Sequence, residues 1–244
     1  MIAALFDLDG TLYTGHIWQD LARHHWAARR HRRWVVAYLV RNMAPAPLYH
    51  LGWLGKEPFF AKWGETMGWL LRGWTPDDAQ ALFERLIEDQ IQPNLRPDVL
   101  ARLRQHQAGG HTVALVSGTF GPFLDQIARE IDVPHAIGTP LEVRDGHYTG
   151  RIVPPLCQGE GKPQRAQAYF AQQGLEVDWG ASFAYADRDL DVPLLDLVGQ
   201  PVAVYPDEAL LAHARARDWP VIGTPPEEGA SPAEDASSSE GTGP

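Results

Sequence analysis

Residues 5–13 read LFDLDGTLY, with Asp7 and Asp9 two positions apart at the end of an apolar run. Acids are poor strand formers, so this pair marks either a turn, with Asp9 capping a following helix, or a reactive centre. A carboxylate attacks an electrophilic centre and splits one difficult hydrolysis into two easier steps, and a neighbouring carboxyl carries the proton. Three further short stretches carry polar groups suited to the same chemistry. Ser117, Gly118 and Thr119 follow the apolar run TVALV; Lys162 follows a hairpin-like stretch in CQGEGK; Asp187 and Asp191 follow SFAYA in the segment ADRDLD. Each alone has an ordinary explanation as a turn, a surface charge or a helix cap. Their order along the chain, each after a strand, argues for one constellation, because ligands of open α/β sheets collect at the carboxyl ends of the strands.

The elements that must position these groups follow from the pattern. The first strand ends at Asp7. Beyond it, 19–42 lacks proline and reads as one helix, 56–73 has apolar residues at helical spacing, and 75–90 opens with Thr75 as N-cap and Pro76 at the first helical position. Pro45 and Pro47 mark a break between the first two helices. After Pro93, helices of about ten residues alternate with short apolar strands at 112–118, near 135–138, at SFAYAD and at PVAVYP. Asp145-Gly146 signals a hairpin within 142–153. Further helices are expected at 121–131, 162–173 and 207–217. The fold class is α/β: a parallel sheet covered on both faces, with an all-helical block inserted after the first strand. The expected division is 1–14 with 93–223 as the core, 15–92 as the helical insertion, and 224–244 as an acidic tail too poor in apolar residues to fold.

The ordered set of motifs resembles the haloacid dehalogenase superfamily of phosphatases, and within it the phosphoserine phosphatase-like branch that carries a helical cap after the first motif. DLDGT (7–11), Ser117, CQGEGK (157–162) and Asp187 with Asp191 stand where that family's four motifs stand. The resemblance implies a Rossmann-like three-layer core with a C1-type cap, and hydrolysis of phosphomonoesters through an aspartyl-phosphate. It assigns Asp7 as nucleophile and Asp9 as proton carrier. Thr11, Ser117, Gly118 and Lys162 would serve the phosphoryl group. Mg²⁺ would be held by Asp7, the backbone carbonyl of Asp9, and Asp187, with Asp191 orienting the metal's waters from one layer further out. Asp9 favours phosphate esters over halides, because a halide needs no proton to leave. Transfer to an acceptor other than water, or a fold retained for binding alone, are the competing expectations.

Two departures bear on the substrate. Phosphoserine-specific relatives place a glutamate where this chain has His16, so phosphoserine is not expected. Arg188 and Leu190 replace small or polar residues, which leaves His16 and Arg188 as substrate-contact candidates. Seven of nine tryptophans fall between Trp18 and Trp74, in a region where 14–75 holds nine Lys/Arg and three Asp/Glu, although the whole chain has a formal charge of −10. Those tryptophans either build the core of a small helical bundle or line a pocket for a lipid-like or aromatic phosphate, or a membrane contact beside RRHRR (29–33). No nucleic-acid motif accompanies the basic block. Adjacent His24 and His25 point apart on a helix, which disfavours a shared metal, and the single cysteine, Cys157, reads as a packed thiol. One cysteine and no basic leader before the first strand point to a reducing, cytoplasmic setting. Nothing in the sequence speaks to oligomeric state.

Overall fold

The computed structural model describes residues 1–53 and 55–223; the tail expected at 224–244 lies outside them. Six parallel strands form the central sheet in the order β3-β2-β1-β6-β7-β8. These are β1 (Ala3–Phe6), β2 (Thr112–Phe120), β3 (His135–Thr139), β6 (Phe183–Ala186), β7 (Gln200–Val204) and β8 (Val221–Ile222). Strand β1 is buried at every position, as a central strand with both faces covered must be. Helices α6 (Pro97–Ala108), α7 (Gly121–Glu130), α8 (Gly161–Gln172), α9 (Val192–Asp196) and α10 (Glu208–Ala216) cover the sheet. Two apolar clusters result. One holds Phe6, Val113, Leu115 and Tyr185, and the other Leu5, Ala114, Val116 and Ala184, as the two-residue alternation of a strand dictates. Phe6 and Tyr185 stack at 4.3 Å on adjacent strands.

Between β1 and α6 the chain forms the helical cap: α1 (Ile17–Ala27), α2 (Arg32–Met43), α3 (Ala46–His50), α4 (Lys56–Met67) and α5 (Pro76–Leu86). The single helix expected over 19–42 is two. Arg29 takes φ 55°, its N–H donates to the Trp26 carbonyl, and the Arg30 N–H reaches back to the His25 carbonyl. That is a Schellman termination with arginine in the left-handed position that glycine usually fills, so no glycine announced it. His31, at φ 58°, turns the chain into α2. The stretch 56–73 runs as α4 and then tightens to a 3₁₀ turn at Gly68–Leu71. Helix α5 starts as its sequence dictates: Thr75 Oγ1 accepts the Asp78 N–H at 3.1 Å. The prolines at 45 and 47 bracket the start of short α3, and β8 was not legible in two residues of sequence. The hairpin of β4 (Leu141–Arg144) and β5 (His147–Ile152) turns at Asp145 and Gly146, both with positive φ, and stands as a separate two-stranded sheet.

Candidate active site

The carboxyl ends of β1, β2 and β6 and the start of α8 converge on one cavity of about 210 Å³. Asp7 leaves β1 buried. Its Oδ1 accepts a hydrogen bond from Lys162 Nζ at 2.6 Å, and Lys162 pairs equally closely with Asp191 Oδ1. Thr11 Oγ1 stands 3.1 Å from Asp7 Oδ2 and 3.0 Å from Asp187 Oδ1. The structure therefore puts Thr11 behind the carboxylates, where its single hydroxyl proton serves one of them at a time, and does not bring it to the cavity wall, where a phosphoryl contact was expected. Carboxylate oxygens of Asp7, Asp187 and Asp191 lie within 4.8 Å of one another.

Such crowding of buried acids has electrostatic consequences. Burial and repulsion from Asp7 and Asp191 push Asp187 well above the ordinary carboxylate range, against the pull of Arg188. Burial likewise raises Asp191, to about 6, with Lys162 opposing. Burial alone would lower Lys162, but Asp191 and Asp7 outweigh it and hold the ammonium charged. Asp9 is raised to about 7 by burial, against its bond from the Ile17 N–H (2.9 Å) and with the charge of Asp7 adding to the rise. Asp9 thus does cap the following helix, and it also faces the cavity. A carboxyl poised near neutrality can both give and take a proton.

Gly10 is required by the packing of this loop. It adopts φ 86°, and a Cβ there would stand 2.1 Å from Asp187 Oδ2. Gly161 serves the same end at the start of α8, where a Cβ would fall 1.8 Å from the Leu156 carbonyl oxygen. Ser117 is buried within β2, just past Val116 where the regular pairing with β3 breaks; its Oγ accepts the Thr119 N–H at 3.2 Å and Gly118 lines the cavity. Thr119, grouped with Ser117 and Gly118 in the sequence but given no phosphoryl role there, also lines the cavity, and its buried hydroxyl has no partner among the described residues. Its neighbour Ser117 was the more obvious choice because it sits directly at the strand's polar break.

The departures from the family pattern meet each other. Arg188 Nη2 lies 3.2 Å from His16 Nε2, and its Nε lies 3.5 Å from Asp187. Burial and the Arg188 charge lower His16 to about 4, so the ring is neutral and accepts from the guanidinium. Opposite the charges, Trp18, Tyr38, Phe60, Trp63 and Met67 of the cap form an apolar wall. Trp18, Tyr38 and Trp63 pack on one another with centroids 5.2–6.2 Å apart. No carboxylate lines the cap side of the cavity among the described residues. Cys157 is fully buried, bonded through Sγ to the Ile137 carbonyl, and pushed up to about 12 by burial, as a packed thiol would be.

The family model for haloacid dehalogenase-like hydrolases matches residues 4–196. The chain belongs to that family. It is 31% identical over 150 residues to a probable phosphatase of Mycobacterium tuberculosis (strain ATCC 25618 / H37Rv), covering 62% of this chain and 51% of that one, so it spans about half of that relative's length. The phosphoserine phosphatase SerB1 of the same strain is 30% identical over 223 residues, 90% of this chain and 70% of that protein. A crystal structure of a protein of unknown function from Bordetella pertussis Tohama I superposes with a TM-score of 0.75 at 35% identity, covering 91% and 99% of the two chains. The DLDGT loop, the Lys162 position and the acidic pair after β6 all fall within the matched span.

Proposed function

We propose that this hydrolase is a phosphomonoester phosphatase that works through an aspartyl-phosphate on Asp7. The observation that carries the reading is the pairing of two acids in different surroundings. Asp7 is bound by Lys162 Nζ at 2.6 Å and stands 3.1 Å from Thr11 Oγ1, while Asp9, two residues on, has no such cation and is raised to about 7 by burial. An Asp7 oxygen attacks phosphorus as the ester oxygen departs, and Asp9 gives its proton to that oxygen, so a neutral alcohol leaves. Asp9, now a carboxylate, takes a proton from water; the hydroxide attacks phosphorus, and inorganic phosphate leaves with Asp7 restored. Lys162, Arg188, the Ser117 and Thr119 hydroxyls and the Gly118 backbone offset and hold the phosphoryl charge.

The donor set fits Mg²⁺. Asp7, Asp187 and the backbone carbonyl of Asp9 offer hard oxygen ligands, and buried acids repelling one another form a site short of positive charge. Bound there, the ion would neutralise nucleophile and substrate together. Asp191 stays on Lys162 and orders the ligands from behind. The domains act as core (1–14 with 93–223) and cap (15–92), the cap excluding bulk water and selecting the leaving group. Its aromatic wall, without a carboxylate for an amino group among the described residues, fits a compact apolar or aromatic alcohol and disfavours phosphoserine. Three rings in mutual contact present a surface; a cage around a quaternary ammonium would need them further apart.

Hydrolysis of p-nitrophenyl phosphate with and without Mg²⁺, alongside Asp7→Asn, tests the reading. Turnover that requires Mg²⁺ and vanishes in the variant is expected. Absence of turnover on p-nitrophenyl phosphate and on a panel of alkyl and aryl phosphates, or an active Asp7→Asn, would refute it.

A further inference from the structure

Between residues 21 and 53 the chain holds six arginines, four histidines and no Asp or Glu, in a protein whose formal charge is −10. The same segment concentrates exposed apolar side chains. Of the eleven large hydrophobics exposed among the described residues, seven lie between Trp26 and Trp53. On α2, Val35, Tyr38 and Asn42 are buried, and Val36, Val40 and Met43 are exposed at i, i+4 and i+7. At 100° per residue the two sets face roughly 130° apart. The exposed set continues past the C-terminus of α2 into Leu48, Leu51 and Trp53, the last 79% exposed. Arg29, Arg30, Arg33 and Arg41 are exposed around it. Arg32 lies 4.9 Å over the Trp26 ring and bonds the Trp26 carbonyl, which fixes that half-exposed indole beside the basic cluster.

A helix that is polar on one side normally turns its apolar side inward. Helix α2 has an apolar stripe on each side, and only one faces protein. Among the described residues no helix is long and apolar enough to cross a membrane. We infer that the outer face of α2 with the α3 turn is a docking surface for an anionic lipid bilayer, the arginines meeting the headgroups and Val40, Met43, Leu51 and Trp53 entering the interfacial layer. Charge decides among occupants. A second copy of this face would set arginines against arginines without a compensating acid. A nucleic acid would meet the arginines but leave the aliphatic stripe in water. Of these three, only the bilayer pairs with both. Tyr38, on the inner side of α2, lines the cavity, so docking puts the cap's apolar wall one helix diameter from the lipid.

Vesicle flotation of the full chain tests this independently of any phosphatase activity. With 3:1 phosphatidylcholine–phosphatidylglycerol vesicles at 50 mM salt the protein floats; with phosphatidylcholine alone, or at 500 mM salt, it stays below. Val40→Glu/Met43→Glu abolishes flotation. Arg30→Ser/Arg33→Ser weakens it about thirtyfold, at about fivefold per cation near a charged surface. All four positions are exposed or half-exposed, so thermal midpoints and circular dichroism stay at wild-type values. Failure to float with the anionic vesicles, or equal flotation of both variants and wild type, would overturn the inference. So would a dimer in sedimentation velocity that Val40→Glu dissolves, or binding to single-stranded polyuridine tighter than to the vesicles.

Discussion

Lys162→Met probes the electrostatic centre of the site most directly. In the wild type Nζ is 2.6 Å from an oxygen of Asp7 and 2.6 Å from one of Asp191, and all three side chains are buried. Methionine fills the volume but leaves two carboxylates without their cation, with Asp187 adding further repulsion. Removing one partner of a buried ion pair costs about 3–5 kcal/mol. For a chain of this size that lowers the melting midpoint by roughly 6–20 °C. The acids set a ceiling on the loss, because they can take up protons. Asp191 already titrates at about 6 with the lysine present, and without it the carboxyl rises further. A folded-state acid pKa above the unfolded value means the folded state binds more protons, so stability falls as pH rises through the folded pKa. The deficit of Lys162→Met against wild type is therefore larger at pH 8 than at pH 5.5. Metal-free urea or thermal unfolding at both values reads it. A variant as stable as wild type at pH 8, or a deficit that grows on acidification, would refute the account of Lys162 as the counter-ion of Asp7 and Asp191.

Four further outcomes are expected. Asp9→Asn lowers steady-state turnover about 10²–10⁴-fold, and more on an alkyl phosphate than on p-nitrophenyl phosphate, whose leaving group needs little protonation. Mg²⁺ at a hundredfold over its dissociation constant stabilises the protein by about 2.7 kcal/mol, a rise in thermal midpoint that Asp187→Asn removes. Gly10→Ala forces a Cβ against Asp187 at a positive φ; it destabilises by about 1–3 kcal/mol and abolishes that Mg²⁺-dependent rise. His25 is fully buried and lowered to about 4 by burial, with the charge of His31 adding to the shift. Its neutral form is favoured on folding, so its contribution is complete above pH 6.5 and is lost as pH falls toward 4. That loss is roughly 3 kcal/mol, and denaturant titrations of His25→Phe across that window show a flatter profile than wild type.

The core was legible because its signals are local and repeated. Strands of four to six apolar residues ended in polar groups, and helices ended at glycines such as Gly109 and Gly174. The cap was legible as helical but not in its breaks. Its first helix stops at Arg29, a residue whose type says nothing of the left-handed turn it makes. Strand β8 has too few residues to show a period. Within the site, Asp7, Asp9, Ser117, Lys162, Asp187 and Asp191 are brought together. Thr11 sits one layer behind, because the chain five residues past the end of β1 has folded back under it. The tryptophans divide between both sequence expectations: Trp18 and Trp63 pack as core and cavity wall, while Trp26 and Trp53 are exposed. Composition reports how many large apolar residues a segment has, but only the folded chain shows which face they take. Contacts between distant segments were equally silent. Lys56, at the start of α4, reaches Asp189 and Asp207 of the core across more than a hundred residues of chain.

The bond from the Ile17 N–H to Asp9 Oδ1 joins the two levels of the protein. Ile17 is the first residue of α1, so the cap begins on the side chain proposed to carry the proton. A helix N-terminus favours the charged carboxylate, and the bond opposes the burial that raises Asp9. Any cap movement that draws Ile17 away would remove that opposition and leave Asp9 protonated, while admitting water would lower its pKa again. With the Ile17 N–H on Asp9, burial and the helix start balance near neutrality. Sequence spacing alone puts Asp9 close to Asp7; the start of α1 is what holds it in a state from which a proton can move in either direction.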